Sequence, residues 1–302
     1  MAQKVILDVD TGADDAAAIL LAGHHPALEL VAVAAVHGNA PLSTTLENTL
    51  RTMSAGALEH VPVYSGASLP LVHPMISSSP TQEAILPLAE TSLKPQRQHA
   101  VQFLLDYYMS AAGPETIYLP VGPHTNLALA LRIEPRLAQR IPRIVTMGGA
   151  YAQGNYTPSA EFNILADPEA AFVVWQAGIP ITMIGLEVTD QAPVTREDTQ
   201  RVRSLGTPWA QAAALVMEHE MGLAQFNGQA SAHIYDACAV AAVIDPGLVP
   251  TRPAYMAVEL NGTLTRGRTV ADFALRRSLP NTDVGLGIDR DGFMQVLMEG
   301  LR

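Results

Sequence analysis

The sequence predicts an α/β fold: a mostly parallel, doubly wound sheet flanked by helices. Three observations carry that expectation. Short apolar, β-branched runs alternate with helical segments as far as Val188. The runs are apolar almost throughout rather than at every second residue, as strands covered on both faces must be. Polar clusters come directly after several of them, at the carboxyl ends of the strands, where open α/β sheets bind ligands.

In chain order, Val5–Val9 is a short strand and Asp14–Leu21 a helix. Leu28–Val36 is a near-continuous apolar strand ending in His37, Gly38 and Asn39, and His60–Gly66 is a third strand. Gln98–Met109 reads as a helix, Thr116–Val121 as a strand, Thr125–Arg132 as a helix and Pro142–Gly149 as a strand. Asp167–Ala177 is a helix and Pro180–Val188 a strand. Beyond Val188 the pattern turns helical, at Arg196–Ser204, Pro208–Glu220 and Ala232–Ile244. Strands at Ala254–Leu260 and Thr269–Phe273 come next, then a last helix at Arg290–Leu301. The weakly patterned stretch Val72–Lys94 reads as a loop or lid with short helical pieces. No internal repeat or shift in composition divides the chain, so residues 1–302 are expected to form one domain.

Composition excludes some functions. With 18 Lys+Arg against 29 Asp+Glu, the formal charge of −11 argues against binding nucleic acid, whose phosphates demand a basic surface. A nucleoside carries no phosphate and is not excluded. Cys238 is the only cysteine, so no internal disulfide forms and a reducing compartment is expected. Met1 leads almost directly into a strand, which leaves no room for a signal peptide. No apolar run reaches the roughly 18–20 residues of a membrane span unbroken. A cytoplasmic location without membrane contact is the expectation.

The chain opens on "DVDTGADDAAAI", which crowds Asp8, Asp10, Asp14 and Asp15 together where an apolar strand ends. Strand alternation would set Asp8 and Asp10 on one side, and Gly12 allows a tight turn into the helix. Asp14 and Asp15 then fall at a helix N-terminus, which favours anions, and one of them could serve only as a cap. Four carboxylates are too many for capping, because unpaired like charges in a cleft cost several kcal/mol. A hard divalent cation held by oxygens resolves the repulsion, and Ca²⁺ accepts both carboxylates and carbonyls. An EF-hand loop and a dehalogenase-type phosphatase both fit the spacing poorly, because Gly12 stands where neither pattern has glycine. Asn39, Asn155, Glu161 and Asn163, with small residues between them, add a lining suited to hydroxyls.

These residues resemble the nucleoside hydrolases of the inosine–uridine-preferring type, nearly end to end. "DVDTGADDAAAI" is similar to that family's Asp-x-Asp-x-Gly-x-Asp-Asp signature. Supporting it are "VHGN" (Val36–Asn39), "VGPHTNLALAL" (Val121–Leu131), "MGG" (Met147–Gly149), "EFNILADPEAA" (Glu161–Ala171), "GTLTRGRTVAD" (Gly262–Asp272) and "PN" (Pro280, Asn281). The resemblance implies hydrolysis of the N-glycosidic bond of a small-molecule ribonucleoside to free base and ribose. It also implies a Rossmann-like sheet with bound Ca²⁺, assembly as a homodimer or homotetramer, and a role in purine or pyrimidine salvage. Carried over, Asp10, Asp15, Asp236 and the Val121 carbonyl would hold the metal, and Asp10 would be the general base toward metal-bound water. Asp14, Asn39, Asn155, Glu161, Asn163, Asp236 and the Met147 backbone would line the ribose pocket.

The chain departs from the family pattern in two places. Tyr235 precedes Asp236 where the family usually carries the His that protonates the leaving base, and Tyr is a poorer acid near neutrality. His233 could replace it, but as helix neighbours 233 and 235 would point apart. His73 stands where many relatives have a His-Gly-x-x-Gly-like stretch. Asn126, in a helical first turn after Pro123, reads as a cap. Tyr235 also leaves room for a nucleoside- or ribose-binding protein with weak or lost hydrolysis, against which Asp10 argues.

Overall fold

Strand β1 (Gln3–Val9) lies inside the sheet, and the chain builds outward from it in both directions. The computed structural model describes residues 2–76, 85–276 and 278–302. After β1 come α1 (Ala13–His24), β2 (Leu28–Ala35), α2 (Leu42–Ala55), β3 (Val63–Ser65) and α3 (Ala100–Met109). The chain then crosses to the other side of β1 with β4 (Thr116–Pro120), α4 (Thr125–Ile133) and β5 (Ile144–Met147). Next are α5 (Phe162–Ala166), α6 (Pro168–Trp175), β6 (Ile181–Ile184), α7 (Leu186–Thr189) and β7 (Pro193–Val194). Helices α8 (Arg196–Arg203) and α9 (Pro208–Phe226) lead to β8 (Ala232–His233) and α10 (Tyr235–Ile244). Strands β9 (Thr251–Val258), β10 (Thr269–Asp272) and β11 (Thr282–Gly285) and helix α11 (Arg290–Leu301) complete the order.

Among the described residues the main sheet has nine strands in the order β10-β9-β11-β6-β5-β4-β1-β2-β3. From β3 to β6 this is the 3-2-1-4-5-6 order of the dinucleotide-binding folds, all parallel. β11 extends it in parallel, and β9 alone runs against the rest. The order reverses between β1 and β4. Their carboxyl ends therefore diverge into a crevice, the place where such a sheet can seat a ligand.

Apolar side chains pack on both faces of the sheet, as the unbroken strand runs require. One core gathers Val5, Leu7 and Val9 of β1 with α1, α9, α10 and α11, and the other gathers Ile6 and Tyr118 with α3, α4 and α6. Ala16, Ala17 and Ala18 of α1 and Ala237, Ala239 and Ala241 of α10 are fully buried. Small side chains on both helices let them lie close, so their N-termini open on the same crevice.

The structure departs from the sequence reading where polarity disguises a buried face. Helix α2 carries Thr45, Asn48, Thr49 and Thr52 inward alongside Leu50 and Met53. Thr49 and Thr52 return their hydroxyls to the carbonyls of Thr45 and Asn48, which satisfies the polar part of that buried face. The strand expected to reach Val188 stops at Ile184, α9 runs on to Phe226, and α10 starts at Tyr235 rather than Ala232. The described parts of Val72–Lys94 contain no helix, and residues 77–84 lie outside the described residues.

Asp8 and Asn126 also differ from expectation. Asp8 points away from the crevice and accepts hydrogen bonds from the Tyr118 hydroxyl and Asn126 Nδ2, while burial pushes its carboxyl up to about 7. Asp10 lies beyond the end of β1, so strand alternation does not set its direction. Asn126 does not cap α4. Its Oδ1 accepts from Ala67 N and its Nδ2 reaches Asp8 and the Ala35 carbonyl, tying three strand ends together. The "PN" motif is structural as well: Asn281 Oδ1 and Nδ2 pair with the backbone N–H and C=O of Met256, holding β11 against β9. Asn126→Ala strands three buried partners, and a loss of about 2–4 kcal/mol in urea unfolding is expected, with the slope unchanged. A loss below about 0.5 kcal/mol would show that water or a repacked neighbour replaces the clasp.

Candidate active site

A cavity of about 180 Å³ opens at the carboxyl ends of β1, β4 and β5. Its lining includes Asp10, Asp14, Asn39, Val121, Met147, Asn155, Glu161, Asn163, Tyr235 and Asp236. Of the expected site residues only Asp15 is not exposed to it, and Asp15 lies directly beneath. Its Oδ1 accepts from Asp10 N at 3.1 Å, its Oδ2 accepts from Gly12 N at 2.8 Å, and its side chain shares a hydrogen bond with Asp236. Asp15 therefore both caps α1 and joins the cluster.

Asp14, Asp15 and Asp236 each bring a carboxylate oxygen to within 4.8 Å of one another. This trio differs from the expected metal set, which had Asp10 in place of Asp14. Asp14 and Asp15 sit in the first turn of α1 and Asp236 in the first turn of α10, so two helix N-termini aim their free N–H groups at one place. Burial still outweighs that help. It pushes Asp15 up to about 8, Asp14 up to about 6, and Asp10 and Asp236 well above the ordinary carboxylate range. Asp15 adds to the shift at Asp10, and Asp14 to those at Asp15 and Asp236.

Asp10 is gripped on one side only. Its Oδ2 accepts from Asn39 N at 2.6 Å, whereas Oδ1 is buried with no partner among the described residues. Gly38 and Gly122 flank the carboxylate, and a Cβ on either would collide with it. A buried, unpaired carboxylate oxygen beside three clustered carboxylates fits a divalent cation, which supplies the missing partner and removes the repulsion.

The rest of the expected set forms a rigid polar wall. Glu161 caps α5 and accepts from Asn163 N, Ile164 N and Gly149 N. Gly149 can present that N–H because it holds φ +84, and Thr269 clamps the next residue by bonding both Ala150 N and Ala150 O. Asn163 Nδ2 donates to the Val121 carbonyl at 2.7 Å and more weakly to the Met147 carbonyl at 3.3 Å. Asn155 Oδ1 holds Phe162 N at 2.9 Å, and Asn39 Nδ2 reaches Asp10 O and Asp15 Oδ2.

The cavity lining also holds residues that the sequence reading misses. Glu220, Leu223 and Asn227 line it from the last turns of α9 and the residue after it, with Gln229, Tyr156 and Phe162 beside them. Their 3- and 4-residue spacing marks one helix face and is readable in principle, but only if α9 runs beyond the expected end at Glu220. Burial, then Asp14, pushes the Glu220 carboxyl up to about 8. His233 does not point away from Tyr235. Because α10 starts only at 235, the two rings stack with centroids 5.1 Å apart. His233 Nε2 meets Ser231 Oγ and its Nδ1 meets Thr189 O, while the Tyr235 hydroxyl is hydrogen-bonded to Asp190. Burial, then Asp190, holds that hydroxyl far above its ordinary pKa. His73 pairs instead with Glu169, 3.5 Å away, which also takes Arg266.

The family model for inosine-uridine preferring nucleoside hydrolase matches residues 5–295. The chain is 39% identical over 309 residues to the pyrimidine-specific ribonucleoside hydrolase RihA of Escherichia coli, covering 100% of this chain and 99% of that protein. It is 38% identical over 311 residues to the inosine-uridine preferring nucleoside hydrolase of Crithidia fasciculata, covering 100% and 98%. Among solved structures, the purine-preferring ribonucleoside hydrolase from Gardnerella vaginalis superposes with a TM-score of 0.91 at 31% identity, over 99% of this chain and 98% of that one.

The glycine cradle offers a direct check of the cation site. Gly38→Ala drives a methyl group into Asp10 Oδ2, and calorimetric titration with Ca²⁺ is expected to show affinity weakened by about 10–100-fold. Unchanged affinity would remove Asp10 from the cation's surroundings.

Proposed function

The chain belongs to the inosine-uridine preferring nucleoside hydrolase family, and from that premise we propose how it hydrolyses the N-glycosidic bond of ribonucleosides. One observation carries the reading: the unpaired Oδ1 of Asp10 faces a carboxylate cluster at the β1/β4 switch point, beside a wall of fixed hydroxyl-binding groups. Asp10, Asp15, Asp236 and the Val121 carbonyl, with Asp14 close by, would hold Ca²⁺. When bound, the cation lowers the pKa of a water and offsets the clustered charge.

Asp10 accepts the proton of the attacking water on Oδ1, while Asn39 N and the flanking glycines keep its other oxygen still. Asp14, Asn39, Asn155, Glu161, Asn163, Asp236 and the Met147 backbone hold the ribose. Water oxygen bonds to C1′ as the bond from C1′ to the base nitrogen breaks, and the surrounding carboxylates stabilise the oxocarbenium-like charge that develops. The departing base leaves toward Tyr235. Its hydroxyl, committed to Asp190 and raised in pKa, protonates that base only weakly. The same reading makes the enzyme a cytoplasmic homodimer or homotetramer of nucleoside salvage. No described helix is long and apolar enough to cross a membrane.

Release of base and reducing sugar from a panel of purine and pyrimidine ribonucleosides, with and without chelator, tests the reading directly. Asp10→Asn is expected to lower kcat by about 10²–10⁴-fold at saturating Ca²⁺, with KM little changed. A loss under about tenfold would place the base elsewhere.

Weak leaving-group activation has its own signature. p-Nitrophenyl riboside, whose leaving group needs little protonation, is expected to be cleaved much faster than inosine or uridine. Tyr235→Phe should lower nucleoside turnover further and leave the activated substrate nearly unchanged. Equal losses on both substrates would instead assign Tyr235 to holding the sugar or the cation.

A further inference from the structure

Three of the sequence motifs leave a buried polar side chain that the reaction above does not use: His37 in "VHGN", Thr125 in "VGPHTN" and Asp167 in "EFNILADPEAA". Together they form one hydrogen-bonded chain. Asp167 Oδ2 accepts from Thr125 Oγ1 at 2.7 Å and from Leu71 N at 2.9 Å, and its Oδ1 accepts from Ala170 N at 3.0 Å. Thr125 has a single hydroxyl proton and gives it to Asp167. Toward His37 Nε2, 3.0 Å away, it can therefore only accept.

This fixes the tautomer of His37. Burial holds its pKa down to about 4, so the ring is neutral and its one proton lies on Nε2. Nδ1 is left as a buried lone pair with no partner among the described residues. An apolar side chain would fill the same space without stranding an acceptor, so packing alone gives no reason for an imidazole here. The hydrogen bond to Thr125 does, because His37 leads straight into the residues that grip Asp10. His37 N is tied to Ala67 O at 3.0 Å, Gly38 presses on the Asp10 carboxylate, and Asn39 N holds Asp10 Oδ2 at 2.6 Å.

We infer that His37, Thr125 and Asp167 are a positioning relay for the reaction: they fix the 37–39 turn that aims Asp10, and Asp167 ties that turn to the chain entering at Leu71. None of the three lines the cavity. They act through Asn39, and the inference rests on the reading of Asp10 as the base.

The test compares Thr125→Val, nearly isosteric but unable to accept or donate, with Thr125→Ser, which keeps the hydroxyl. Thr125→Val is expected to lower kcat by about 10–100-fold with KM within about threefold, and Thr125→Ser to restore it. Amide hydrogen exchange, monitored by NMR, reads the turn without turnover. The Asn39 amide should exchange at least about tenfold faster in Thr125→Val, while amides in β5 keep their wild-type rates. If Thr125→Val does not fold, His37→Met and His37→Gln make the same comparison, since Gln can place an N–H near the Nε2 position.

A lower Tm with kcat and Asn39 exchange both at wild-type values would reduce the chain to packing and overturn the inference. Lost kcat with unchanged Asn39 exchange would overturn it too, because the effect would not pass through the turn. Faster exchange with unchanged kcat, in an enzyme that Asp10→Asn disables, has the same consequence. If Asp10→Asn is itself harmless, the assignment of the base has failed, and the relay stands or falls on Asn39 exchange alone.

Discussion

Four carboxylates that cannot all ionise unaided share one crevice, and much of the surrounding structure serves to hold them there. Asp10, Asp14, Asp15 and Asp236 come from two chain segments far apart in sequence, brought together by the packing of α1 on α10. The alanine faces of those helices matter for this reason. Larger residues would separate the helix axes and with them the two N-termini whose N–H groups partly offset the charge. What the helix ends leave uncompensated is best matched by a divalent cation, because a monovalent ion or a single shared proton brings only one positive charge to four carboxylates.

Around that charge the polar groups are held mostly by backbone. Asn39 N, Gly12 N, Gly149 N, Asn163 N and Ile164 N all donate to site carboxylates. Backbone donors set by secondary structure do not rotate away as side chains can, so Asp10, Asp15 and Glu161 each keep one direction. Preorganisation of this kind lowers the cost of reorganising when charge develops on the sugar. The clamps behind these donors, Thr269 on Ala150 and Asn126 on Ala67, explain why motifs distant from the cavity accompany those within it.

The sequence is most informative where one short segment carries both fold and chemistry. At the β1–α1 junction the strand end, the turn glycine and the helix start fall within a few residues, so spacing brings Asp10, Asp14 and Asp15 to one strand end without fixing the direction of Asp10. The parallel sheet is legible because its strands are apolar on both faces. Asp236 needs the resemblance, since nothing local to α10 shows that it meets α1. Helix α2 is hard to read in the sequence because threonine and asparagine share its buried face with Leu50 and Met53, and hydrogen bonds satisfy them there. Asp8 reads as part of the cluster because charge counts along a chain do not reveal that Tyr118 and Asn126 wait on the opposite side of the strand. The stacking of His233 on Tyr235 depends on where α10 begins, and a shift of three residues in that boundary reverses the expected directions.

The cavity lining is drawn from two kinds of structure. One part draws on strand termini and helix first turns at the edge of the main sheet, where a displaced residue would disturb the carboxylate cluster and the core together. The other part draws on the final turns of α9, the loop after it, and the entry to α10, none of which carries a strand of the main sheet. Relatives named as pyrimidine-specific, inosine-uridine preferring and purine-preferring nevertheless match this chain over almost its whole length. The fold alone therefore does not set which base is released. On the proposed reading, Glu220, Leu223, Asn227 and Tyr235 are lining side chains from outside the sheet that a departing base can meet.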